Sequence, residues 1–150
     1  MVGLVVASHG RLADELVATA EQIVGKLPSV ATCNIEPGTS VEDLRVKMKQ
    51  AVARVDSGDG VIVMADLFGG TPCKESLMMC QRGNLEVLAG VNLPMLLKAN
   101  SLRSEELPLV EMARMLASHS QRTITCASEL LREAQKPKQP EVQQQPPQQT

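Results

Sequence analysis

Met1-Val2-Gly3-Leu4-Val5-Val6-Ala7 carries no polar side chain and leads directly into Ser8-His9-Gly10. An uninterrupted apolar run of this length, bounded by a turn signal, reads as a strand buried on both faces. An amphipathic helix then begins near Arg11, with Leu12, Leu16, Val17, Ala20, Ile23 and Val24 on one face and Gly25 and Pro28 closing it. A strand that feeds a helix is the opening half of a crossover unit, and it implies a parallel sheet. In an open sheet of that kind ligands bind at the carboxyl edge of the strands. His9 therefore stands where a side chain meets solvent and the positive end of a helix together, a position suited to a nucleophile that accepts an anionic group.

The alternation continues along the chain. Val30 to Ile35 reads as a second strand, ending at Pro37-Gly38. Ser40 caps a helix carrying Leu44, Met48, Ala51 and Val55, with Asp43 placed to complete a capping box. Val61 to Ala65 is the third strand and Asp66 ends it. Gly69-Gly70-Thr71-Pro72 is a tight loop into the next helix, with Thr71 as cap and Pro72 in the first turn. Leu85 to Ala89 is a fourth strand. Asn92-Leu93-Pro94-Met95 introduces a short helix, and a longer one follows with Leu107, Val110, Met112, Met115 and Leu116. Thr123 to Cys126 reads as a final short strand. The fold class expected is α/β: a doubly wound, mainly parallel sheet with helices on both faces. Residues 1–130 form the domain, and 131–150 a Gln/Pro-rich tail whose composition cannot bury a core and is expected to be disordered.

Composition narrows the function. With 150 residues, one domain is expected, and an apolar share of 43% is enough for a core. The net charge of −2 does not fit a nucleic-acid binder, and Phe68 is the sole aromatic residue, too few for base stacking. No apolar run approaches the ~20 residues of a membrane span, and the start lacks the charged n-region and cleavage site of a secretory signal. A cytoplasmic protein is expected. Cys33, Cys73, Cys80 and Cys126 lack paired metal-ligand spacing and read as reduced, partly buried thiols.

His9 and Asp66 both close strands of one parallel sheet. If those strands are neighbours, the carboxylate can bond one imidazole nitrogen, fix the tautomer and leave the other nitrogen free as an acceptor. Phosphoryl transfer to histidine requires that arrangement, and Asp66 would also stabilise positive charge developing on the ring. Backbone amides around Gly69, Gly70 and Thr71 can cradle phosphate oxygens, with the Thr71 hydroxyl as a further donor. Each feature alone is often incidental: a strand-end His, a turn-forming Asp, a Gly-Gly loop. All three at one sheet edge point to a site.

Three segments carry a family resemblance: Ser8-His9-Gly10, then Asp66-Leu67-Phe68-Gly69-Gly70-Thr71-Pro72, then Ala89-Gly90-Val91-Asn92-Leu93-Pro94-Met95-Leu96. In this order they resemble the signature segments of the mannose-type enzyme IIA domain of the bacterial sugar phosphotransferase system, over roughly Met1 to Ala127. The resemblance implies a homodimer in which the last strand is exchanged between subunits. It implies a phosphotransferase component that takes phosphate from the phosphocarrier HPr onto His9 and passes it to an enzyme IIB-type acceptor, in peripheral association with a membrane permease. Asp66 would orient the ring so that the phosphoryl group goes to the nitrogen facing away from it, and Thr71 falls where the family has a hydroxyl residue. No metal or organic cofactor is implied. The linker-like tail is followed by no further domain, so the acceptor is expected on a separate chain.

After the proline matched by Pro72, many family members carry an aromatic residue and Asn; here Cys73 and Lys74 follow. Lys74 and Arg11 each read either as a phosphate or partner contact or as a solvated cation, and neither belongs to the site set. A regulatory protein whose His9 phosphorylation controls partner binding fits the same residues, as does the phosphotransfer subunit of a dihydroxyacetone kinase. Histidine phosphatases place Arg before the His, where this chain has Ser8. They also need a second site histidine, and His119 reads as structural or incidental on a surface helix. A plain scaffold with a vestigial site is the remaining reading.

Overall fold

In the computed structural model, which describes residues 1–80 and 84–135, the opening run forms β1 (Gly3–His9), with Leu4 through Ser8 wholly shielded from solvent. β2 (Val30–Ile35), β3 (Val61–Ala65) and β4 (Leu85–Ala89) complete a sheet in the order β2-β1-β3-β4, every pair parallel. The chain steps from β1 to one side for β2 and to the other for β3. The boundary between β1 and β3 is thus the point where the winding reverses and a crevice opens at the carboxyl edge.

Alternation along the strands divides the core into two layers. Leu4 and Val6 of β1, with Ile62 and Met64 of β3, face α1 (Leu12–Val24), α4 (Leu93–Leu102) and α5 (Leu109–Arg122). Val5 and Ala7, with Val61 and Val63, face α2 (Val41–Val55), whose Leu44, Met48, Ala51 and Val55 form its buried stripe. α3 (Thr71–Cys80) covers the rest of that face beside β4. Each fully buried Leu, Ile, Val or Met contributes about 1.5–3 kcal/mol by leaving water, so the aliphatic side chains hold this nearly aromatic-free fold. The chain is the expected doubly wound α/β domain.

Local signals act with some differences. Ser40 Oγ accepts the Asp43 amide at 3.0 Å and donates to the Asp43 carboxylate at 2.7 Å, closing the cap through the hydroxyl. Asn92 caps α4 by accepting the Met95 amide at 2.9 Å. Thr71 is not a cap: it is the first residue of α3. The Lys74 amide bonds the Gly70 carbonyl at 3.0 Å, which gives Gly70 the capping place. Thr123–Cys126 is not a strand in the single chain. The Thr123 hydroxyl bonds the Ser120 carbonyl at 2.7 Å to close α5, and with no ladder partner the backbone turns into α6 (Ala127–Ala134). α6 crosses the boundary drawn at residue 130. The Gln/Pro-rich stretch from 136 to 150 lies outside the described residues. Among the cysteines, Cys33 and Cys73 are buried and Cys80 half-buried, whereas Cys126 is exposed, with none of the described residues covering the start of α6.

Candidate active site

Pairing of β1 with β3 in the register Ala7–Ala65 brings the next residues, Ser8-His9 and Asp66, to the same crevice. The Asp66 amide bonds the Ala7 carbonyl at 3.1 Å, so the turn after β3 starts pinned to β1. On the other side the Gly10 amide bonds the Ile35 carbonyl of β2 at 2.8 Å. Asp14 of α1 accepts from the Thr32 hydroxyl and the side-chain Nδ2 of Asn34, each at 2.6 Å, and ties α1 to β2 just below. His9 is therefore held from both neighbouring strands.

The carboxylate of Asp66 is nearly buried, with its side chain 10% exposed, while the His9 ring is 49% exposed. Asp66 Oδ2 accepts from the His9 amide at 2.9 Å and lies 2.8 Å from His9 Nδ1; Oδ1 accepts from the Leu67 amide at 2.9 Å. Burial pushes the carboxyl pKa up, but the hydrogen bonds and charge of His9 and the Leu67 amide outweigh it and hold it below the ordinary value. An ionised carboxylate only accepts, so the proton of the neutral ring resides on Nδ1 and Nε2 keeps its lone pair. Among the described residues nothing hydrogen-bonds Nε2. A half-exposed imidazole with a free lone pair on its outer nitrogen has the chemistry of a nucleophile.

Gly70 lies against the ring. A Cβ at this position would stand 3.2 Å from His9 Cε1, a tight approach that would require the ring to shift by a few tenths of an ångström. Gly69 precedes it with φ +79°, in the left-handed region that glycine adopts freely. Thr71 is next to Gly70 and exposed, and its hydroxyl bonds neither His9 nor Asp66. The structure thus brings His9 and Asp66 into contact, with Gly70 close to the ring and Gly69 and Thr71 flanking. Lys74 is exposed one turn into α3, and Arg11 reaches back toward Glu15 at 3.9 Å. His119 belongs to α5, on the layer of the first core. Among the described residues no group of three or more His, Cys, Asp or Glu is arranged to hold a metal ion, and no helix is long and apolar enough to cross a membrane.

Two residues at the site escaped the sequence reading. Ser8 is fully buried and its Oγ accepts the Ala13 amide at 2.7 Å, in place of a cap from Arg11 at the start of α1. A hydroxyl five residues ahead of its amide falls outside capping-box spacing. Phe68 is 81% exposed beside Leu67 at 50%, an apolar rim in the loop between Asp66 and Gly69; a lone aromatic in this chain was a signal of composition, not of place.

The family model described as "PTS system fructose IIA component" (EIIA-man) matches residues 3–117. The chain is 32% identical over 106 residues to the PTS system mannose-specific EIIAB component of Escherichia coli K12, covering 70% of this chain and 33% of that protein. It therefore spans about a third of the length of these curated relatives. It is 29% identical to the PTS system fructose-specific EIIA component of Bacillus subtilis, over 87% of this chain and 90% of that one. Among solved structures, the phosphotransferase system component EIIA of Streptococcus agalactiae superposes with a TM-score of 0.78 at 26% identity, over 86% of this chain and 99% of that one.

Proposed function

The chain belongs to the mannose-type EIIA family of the sugar phosphotransferase system, and on that premise we propose that His9 is its phosphoryl acceptor, charged by phosphorylated HPr and discharged to a separate enzyme IIB-type protein. The observation that carries this reading is the Asp66 carboxylate on Nδ1, which leaves Nε2 as the free base of a half-exposed ring. In the transfer, the Nε2 lone pair attacks phosphorus, a P–N bond forms on His9 and the P–N bond of the donor's phosphohistidine breaks. The Nδ1 proton stays on the ring, and the positive charge that develops there is stabilised by Asp66. Amides of the Gly69-Gly70-Thr71 loop, with the Thr71 hydroxyl, hold the phosphoryl oxygens.

Leu67 and Phe68 give a protein donor an apolar rim on which to dock around Nε2. A homodimer in which Thr123–Cys126 adds to a second copy is part of the same proposal. Three features support it: β4 is an edge strand, Ile124 is 82% exposed, and α6 buries none of its residues. The protein would act on the cytoplasmic side of a membrane permease. The test is incubation of wild type and His9→Ala with phosphorylated HPr. Acid-labile label on wild type alone is expected; equal labelling of both, or of neither with folding verified, rejects the assignment.

A further inference from the structure

We propose that Arg45 and Glu75 are positioning residues that set the site loop against His9, an inference that rests on the phosphoryl-acceptor reading above. α3 follows the loop directly, and two of its four buried residues are polar: Glu75 and Ser76, beside Pro72 and Cys73. The Ser76 hydroxyl turns back to the Pro72 carbonyl at 2.7 Å, and its contact with α2 is the Met48 thioether at 3.9 Å. Between α2 and α3 a crevice of about 490 Å³ is left unfilled, bordered by Arg45, Val52, Glu75 and Met79. Apolar contact between α3 and the α2 layer therefore comes from Met79 and Cys80 toward the end of the helix, while the crevice leaves the seam beside Arg45 and Glu75 open.

What crosses that crevice is a charge-assisted hydrogen bond. Arg45 Nε of α2 donates to Glu75 Oε2 of α3 at 2.6 Å, and the Glu75 side chain is only 10% exposed. Among the described residues this is the one salt bridge that joins two helices. The Arg45 side chain is 43% exposed, so the pair contributes little net stability; the best-attested use of an ion pair with a buried member is to fix register. Here the register runs to the site in a few steps. Glu75 lies in the first turns of α3, the Lys74 amide of that turn holds the Gly70 carbonyl at 3.0 Å, and Gly70 is close enough that a Cβ on it would stand 3.2 Å from His9 Cε1. Glu42 also reaches Arg45, at 3.5 Å, steadying the guanidinium from its own helix.

Arg45→Met and the double variant Arg45→Met/Glu75→Met separate register from stability. The single change strands a buried carboxylate; the double change replaces the pair by apolar side chains that can pack into the crevice. Each is measured for melting temperature, for the rate of labelling by phosphorylated HPr, and for the His9 imidazole 15N and 1H NMR signals. The double variant is expected to regain the wild-type melting temperature while still being labelled about tenfold more slowly, with the His9 ring signals displaced in both variants. A double variant that regains both stability and a rate within twofold of wild type would overturn the proposal, as would unchanged His9 signals. If wild type itself takes no phosphate, the acceptor reading fails, and the ring signals still decide whether the pair positions His9. If the single variant does not fold, the double variant decides alone.

Discussion

One oxygen of Asp66 engages His9 at two points, accepting from the backbone amide at 2.9 Å and bonding ring Nδ1 at 2.8 Å. The first contact anchors the end of β1 to the turn after β3, and the second sets the tautomer. Asp66→Asn keeps an oxygen for the amide, but loses the charge that stabilises the imidazolium and presents an amide group that can favour the wrong tautomer. Phosphoryl transfer to this variant is expected to slow by about a hundredfold with the fold retained, measured as initial labelling rate alongside a thermal melt. A wild-type rate would remove Asp66 from the mechanism.

The same contacts predict an acid-dependent stability term. Net hydrogen bonding and charge hold the Asp66 carboxyl below its ordinary value in the folded chain, whereas the unfolded chain has it near ~3.9. Its contribution is therefore complete above the unfolded value and is lost as pH falls through the folded one. Thermal melts of wild type and Asp66→Asn should differ at neutral pH and converge between about pH 5 and 2. A gap that does not change with pH contradicts the assignment.

Adjacent glycines should respond differently to alanine. At Gly70 the new methyl would meet His9 Cε1 at 3.2 Å and Leu67 Cγ at 3.3 Å, so the ring tilts and the transfer rate should fall several-fold more than stability does. At Gly69 nothing lies within 4 Å, but φ is +79°, so alanine should destabilise the fold by about 1–2 kcal/mol. Labelling rates and melts of the two variants compare the effects directly.

Phe68 is 81% exposed and takes no part in the core of the described residues. Phe68→Ser should leave the melting temperature unchanged and raise the KM for phosphorylated HPr by about fivefold or more, the scale of a docking residue, with kcat retained. An unchanged KM would remove this rim from the docking surface.

Much of the fold could be read because its signals are local. The apolar run Met1–Ala7 and the strand patterns at Val30–Ile35, Val61–Ala65 and Leu85–Ala89 announced four strands, and helix-period stripes announced the crossovers between them. The meeting of His9 with Asp66 followed from placing two strand ends side by side, which parallel-sheet topology favours. Ser8 was missed because its bond to Ala13 depends on how the turn folds, and the Arg45–Glu75 pair because it joins helices thirty residues apart. Thr123–Cys126 has the composition of a strand, but a strand needs a neighbour to hydrogen-bond, and the described residues of the single chain offer it none. Cys126 is exposed for the same reason.

The most direct test of the account is 31P and 15N NMR of the phosphorylated protein, which identifies the nitrogen carrying phosphorus. Phosphate on Nε2 of His9, with Nδ1 still protonated and bonded to Asp66, is the predicted result. Phosphate on Nδ1, or on any residue other than His9, would contradict it.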